Sequence, residues 1–159
     1  MTKSNTSIPS GYHTATPYLF VRDCAGAIEF YRNALGATEK LRMSLPDGKV
    51  GHAEIILGDS VIMLAEEAPS NGFPSPLSLN ASGAAVFLYV PDMDILFNRA
   101  VENGASVILP VADLFYGDRV GTLKDPYGHV WSIATHKEDL TPTELSERTK
   151  KFNQQGKSE

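Results

Sequence analysis

The sequence predicts an α+β fold built from two tandem βαβββ modules, and two observations predict it. The first is an internal repeat. The segment from Thr16 reads TPYLFVRD and then CAGAIEFYRNALGA, and the segment from Ala84 reads AAVFLYVPD and then MDILFNRAVENGA. Each is an apolar run ending in Val-x-Asp, a helix-like stretch and a closing Gly-Ala, so Val21, Asp23 and Gly36 answer to Val90, Asp92 and Gly104. The second observation is that three strand-like runs, divided by turn residues, follow each Gly-Ala.

Asp23 and Asp92 are good N-caps, because a short carboxylate accepts hydrogen bonds from the free N–H groups of a first helical turn. Ile28, Tyr31 and Leu35 in one helix, and Ile95, Leu96, Arg99 and Val101 in the other, give each a partly buried stripe. Gly36 and Gly104 stand where a helix stops at positive φ. Strands are expected at 38–45, 49–57 and 60–65, with Pro46-Asp47-Gly48 and Gly58-Asp59 as turns. In the second half they are expected at 106–109, 119–124 and 129–135, with Asp125-Pro126-Tyr127-Gly128 as the last turn. Residues 66–83, rich in Pro, Ser, Asn and Gly, read as a linker. Thr141-Pro142-Thr143-Glu144 is a capping box with proline at the first helical position, predicting a helix to about Phe152 and an unstructured tail over 153–159. The domain is thus expected at 12–138, with modules at about 12–68 and 84–138. A flexible segment, 1–11, precedes it, and a helix and tail, 139–159, follow.

Composition narrows the function. At 159 residues, 42% hydrophobic and 21% charged, the chain has enough apolar side chains for a core without staples. A net charge of −5 offers no electrostatic footprint for nucleic acid. No apolar run approaches the roughly 20 residues of a membrane span, and residues 1–10 lack the apolar core of a secretory signal. The single cysteine, Cys24, forms no intramolecular disulfide and reads as a packing residue, so a cytoplasmic location is expected.

The duplicated unit, with Val-x-Asp, Phe-Tyr and Gly-Ala in its first half, resembles the vicinal-oxygen-chelate superfamily, the glyoxalase and bleomycin-resistance proteins. The stretch from Tyr116-Gly117-Asp118-Arg119 through Asp125-Pro126-Tyr127-Gly128-His129 to Thr135-His136 is similar to a bacterial glyoxalase-like subgroup within it. The resemblance covers about residues 17–139. It implies curved mixed sheets around a cavity, and a homodimer. It also implies four positions where the family's metal enzymes place ligands, here Thr16, Met63, Ala85 and Ser132. None is a histidine or carboxylate, whereas a first-row divalent ion takes imidazole, carboxylate or thiolate. No metal cofactor is therefore expected.

Strand alternation supplies the rest of the candidate site. If Thr16 and Ala85 point into the cavity, so do Tyr18, Phe20, Phe87 and Tyr89, while Leu19, Val21, Val86, Leu88 and Val90 face the helices. Aromatic rings with a few hydroxyls suit a small-molecule pocket. Tyr116 could close over a ligand. Arg119 could clamp an anion, or pair with Asp118 or Asp125 to hold its loop. His52 and Glu54, two apart on one strand, share a face and are the candidates for acid–base chemistry or for half a metal site. His129 and His136, about 23 Å apart along a strand, cannot share a metal and read as surface residues, as does His13. The expectation is a cytoplasmic homodimer that binds a small amphipathic or aromatic molecule without metal. The alternatives are a divalent-metal lyase or isomerase of glyoxalase type, and a dimeric scaffold with no ligand.

Overall fold

The structure is a computed structural model and describes residues 6–155. The first module comprises β1 (Tyr18–Val21), α1 (Cys24–Phe30) running into a π-helical turn (Tyr31–Leu35), β2 (Thr38–Ser44), β3 (Val50–Leu57) and β4 (Ser60–Glu66). A 3-10 turn (Pro69–Asn71) and the one-turn helix α2 (Pro76–Leu79) lie in the linker. The second module comprises β5 (Ala85–Tyr89), α3 (Met93–Glu102), β6 (Ser106–Asp113), β7 (Asp118–Lys124) and β8 (Val130–His136), and α4 (Pro142–Gln155) ends the described chain. The strands make two four-stranded sheets of one topology, β1-β4-β3-β2 and β5-β8-β7-β6. In each, the first strand runs parallel to the last and the other pairs are antiparallel. This is the α+β duplication that the repeat predicts.

Both caps form as the sequence requires. Asp23 accepts from the Gly26 N–H at 3.0 Å and Asp92 from the Ile95 N–H at 3.1 Å. Asp23 does so at φ 58°, a left-handed conformation that aspartate tolerates better than most residues. The Glu66 carboxylate holds it there, accepting the N–H groups of Asp23 and Cys24, both at 2.9 Å. The first helical segment has one residue more than its counterpart between Asp and Gly, and it carries the π turn. A π turn absorbs one extra residue without breaking a helix.

Several expectations need correction. Ile95 is 65% exposed; the buried stripe of α3 is Met93, Leu96, Phe97 and Ala100. β6 runs four residues past 109, through Pro110, which a strand at the edge of its sheet accommodates because proline has no N–H to donate. α4 continues through 153–155 rather than ending near Phe152. Residues 1–5 and 156–159, in the segments expected to be flexible, lie outside the described residues.

The helix-facing sides of both sheets share one core. Leu19 and Val21 are buried there, with Val86, Leu88 and Val90 packed against it. Cys24 is buried among them, and burial pushes its thiol pKa up to about 12, as befits a packing residue. Polar links join the modules. Arg99 Nε donates to the Ala34 carbonyl at 2.9 Å. Tyr31 in module one donates its hydroxyl to Asp125 Oδ2 at 2.7 Å, the oxygen that also receives Trp131 Nε1 at 2.8 Å. The other oxygen of Asp125 accepts the N–H groups of Tyr127 and His129. The turn aspartate is therefore buried and fully engaged, and it ties the halves together.

Candidate functional site

The faces turned away from the helices are open. Tyr18 is 43% exposed, Phe87 46% and Tyr89 64%, too much for rings that merely fill an interior. They are grouped. Tyr18 lies 4.7 Å from Phe20, which stacks at 4.7 Å on Phe73 from the linker, and Phe87 lies 5.1 Å from Tyr89. Register sets Met63 beside Tyr18 and Ser132 beside Phe87 on the adjoining strands. Ser132 shares a 3.0 Å hydrogen bond with Thr122. Thr16 precedes β1, two residues from the level of Met63, and lines a cavity between the modules.

His52 and Glu54 meet on the open face of module one. His52 Nε2 stands 3.4 Å from Glu54 Oε1, and its Nδ1 stands 3.1 Å from the Tyr18 hydroxyl. Glu54 is buried, and its other oxygen takes the Tyr12 hydroxyl and, at 3.1 Å, the Lys40 ammonium. The Tyr12 hydroxyl, with Lys40 and His52 behind it, holds the Glu54 carboxyl below the usual carboxylate range against the opposing effect of burial. If Nε2 carries the proton toward this carboxylate, Nδ1 is free to accept from Tyr18. The arrangement fixes the Tyr18 ring and leaves its oxygen at the open face.

Module two has a second polar cluster, which the sequence reading missed. Asp118 is buried and accepts from the Tyr89 hydroxyl at 2.8 Å. His136 Nδ1 lies 2.6 Å from its other oxygen, and Nε2 lies 3.0 Å from Asp139. Asp118 raises the Tyr89 phenol, and it contributes to raising that of Tyr116, where burial is the larger cause. Alternation could have found this group, since Asp118 and His136 share the face of Tyr89; Tyr12 and Lys40 gave no such signal.

Arg119 does not join the open face. It grips Asp94 of α3 at 2.7 and 2.9 Å and Asp113 of β6 at 3.2 Å. It pairs with neither Asp118 nor Asp125, because alternation turns it to the side opposite Asp118. His129 is not a free surface residue either: its Nε2 is 3.1 Å from the Phe20 carbonyl.

The site does not fit the family's divalent metal. Among the described residues no three of His, Cys, Asp and Glu converge as a ligand set. At the His52–Glu54 pair the carboxylate is already paired with Lys40, and His136 spends both ring nitrogens on Asp118 and Asp139.

A family model described as the Glyoxalase/Bleomycin resistance protein/Dioxygenase superfamily matches residues 12–133. The chain belongs to that superfamily. An uncharacterized protein of Mycobacterium bovis is 35% identical to this superfamily member over 133 residues, covering 82% of this chain and 88% of the relative. Among solved structures, TioX from Micromonospora sp. ML1 superposes with a TM-score of 0.60 at 23% identity, covering 81% of this chain and 100% of the other. A glyoxalase/bleomycin resistance protein/dioxygenase from Nocardioides gives 0.57 at 22% identity, covering 87% and 90%. At these identities the two structures support the fold.

Proposed function

We propose that this superfamily member binds a small amphipathic or aromatic molecule on the open faces of its sheets, without a metal. The observation that carries this is the set of part-exposed rings of Tyr18, Phe87 and Tyr89 on the first strands of both modules. Covering such rings is favourable at roughly 25 cal/mol per Å² of apolar surface. Hydrogen-bonding groups beside them, the Tyr18 hydroxyl and the Ser132–Thr122 pair, would orient a ligand. Tyr18 is restrained before any ligand arrives, which lowers the entropy cost of binding.

The test compares Phe87→Ala with Leu88→Ala. Phe87 is on the open face and Leu88 packs against the core. Leu88→Ala should cost about 2 kcal/mol or more, and so lower Tm by roughly 4–8 °C. Phe87→Ala should leave Tm nearly unchanged and weaken binding of the aromatic probe 1-anilinonaphthalene-8-sulfonate severalfold, read by fluorescence titration. Should Phe87→Ala unfold the protein more readily while the probe binds as before, the binding reading fails. Metal analysis of untagged protein should find less than stoichiometric zinc, nickel or manganese, and a chelator should leave Tm unmoved.

A further inference from the structure

β1 and β5 are edge strands of separate sheets with no ladder between them, and a seam joins them where residues 18–20 and 85–86 line one groove. Successive peptide groups of a strand point to opposite sides. The carbonyls of Pro17 and Val21 accept from the N–H groups of Met63 and Glu67, so the peptide groups of Tyr18 and Phe20 face the seam. The Val90 N–H donates to the Ala134 carbonyl, so those of Phe87 and Tyr89 face the seam from the other side.

The repeat would make the two ends of this seam alike, but the side chains do not. Tyr18 pairs with Met63 as Phe87 pairs with Ser132, so the first residue of β4, Ser60, corresponds to His129. His129 reaches across and bonds the Phe20 carbonyl, while Pro76 and Leu79 of the linker close in on the same end. At the other end Ser60 is too short to reach, and its hydroxyl turns back to Asp59 at 2.9 Å. Among the described residues no side chain hydrogen-bonds the peptide groups of Phe87 or Tyr89. A cavity of about 700 Å³ remains, with the edge of β5 as one wall. Thr16, Asp59 and Ser60 stand among its polar lining, and the buried side chains of Leu35, Leu57 and Leu96 reach it from the helix side.

We propose that this seam cavity binds a small, elongated apolar amide, held along β5 as an added strand. Its volume falls within the roughly 300–1,000 Å³ of small-molecule sites. The seam-facing peptide groups of Phe87 and Tyr89, without a side-chain partner among the described residues, match a partner that both donates and accepts, at the spacing of an extended amide chain. The leucine-lined depth requires uncharged apolar substituents. This site is distinct from the open aromatic faces: it passes between the sheets toward the helices, and β5 is the element common to both.

The probe is the doubly blocked dipeptide N-acetyl-leucyl-leucine methylamide, titrated into the whole protein. Binding should slow hydrogen exchange at the Phe87 and Tyr89 amides. An analogue with its central amide replaced by an ester should bind roughly three- to tenfold more weakly, because one donor is gone. Ser60→His, which copies the plug of the other half, should weaken the dipeptide at least about tenfold while circular dichroism stays native. The proposal is overturned if the dipeptide does not bind, if exchange at Phe87 and Tyr89 is unchanged, or if folded Ser60→His binds it like wild type. It is equally overturned if the ester binds as tightly as the amide, a comparison made on wild-type protein and independent of whether Ser60→His folds.

Discussion

His136 lies between two carboxylates, and its hydrogen bond to buried Asp118 raises its pKa, with Asp139 adding to the effect. A histidine raised in the folded state contributes its stabilisation fully below the unfolded pKa of about 6.5. That contribution is lost as pH rises through the higher folded value. An NMR titration should therefore place His136 above an ordinary histidine, and Asp118→Asn should bring it back down. Stability of the wild type should decline relative to Asp118→Asn as pH rises through that transition. A His136 titration unchanged by Asp118→Asn would remove this account. Glu67 works in the opposite sense. The Ser78 hydroxyl, aided by Ser75 and Arg22, holds its carboxyl down to about 2. Its stabilisation of the linker is present above about pH 4.5 and is lost as pH falls toward 2.

The two modules pack helix on sheet by different choices at one position. Register makes Gly121 of β7 the counterpart of Ala53 of β3, and equal spacing from the caps Asp92 and Asp23 makes Phe97 of α3 the counterpart of Ile28 of α1. The larger side chain meets the smaller residue: a Cβ on Gly121 would lie 2.5 Å from the Phe97 ring. Gly121→Ala should overpack this contact and cost about 1–3 kcal/mol, and Phe97→Ile in the same chain should restore part of it, since total volume is then nearer that of module one. Thermal melts of the two single variants and the double variant check this; simple additivity would show that the positions are not coupled. Elements of this kind were legible where the signal is local. Asp23 and Asp92 announce their helices, and strand alternation sorted Phe87 from Leu88. What eluded the sequence is contact between distant segments. Arg119 offered several carboxylates, and which it takes depends on α3 packing over β7. His129 and Phe20 are 109 residues apart, so nothing local links them. The site was half legible for the same reason: His52 and Glu54 were visible as a strand pair, but Tyr12 and Lys40 reach them only through the fold.

A single chain leaves much apolar surface uncovered. β2 and β6 are exposed along most of their length, with Met43 at 53% and Leu109 at 59%, and the open-face rings add to them. The exposed apolar edge of β6 is the kind of surface a second chain covers, whereas β2 carries three charged residues that blunt its edge. A two-fold homodimer is the expected assembly, and light scattering should give about twice the 17.3 kDa of one chain. A stable single-chain mass at micromolar concentration would count against it. The bond from Tyr31 to Asp125 bears on a different matter, the independence of the two halves. Module one in isolation would leave the buried Tyr31 hydroxyl without its acceptor, whereas Asp125 would keep the three donors of its own module. With this bond and one shared core, the two halves are expected to melt in a single transition, and calorimetry showing two separate transitions would count against it.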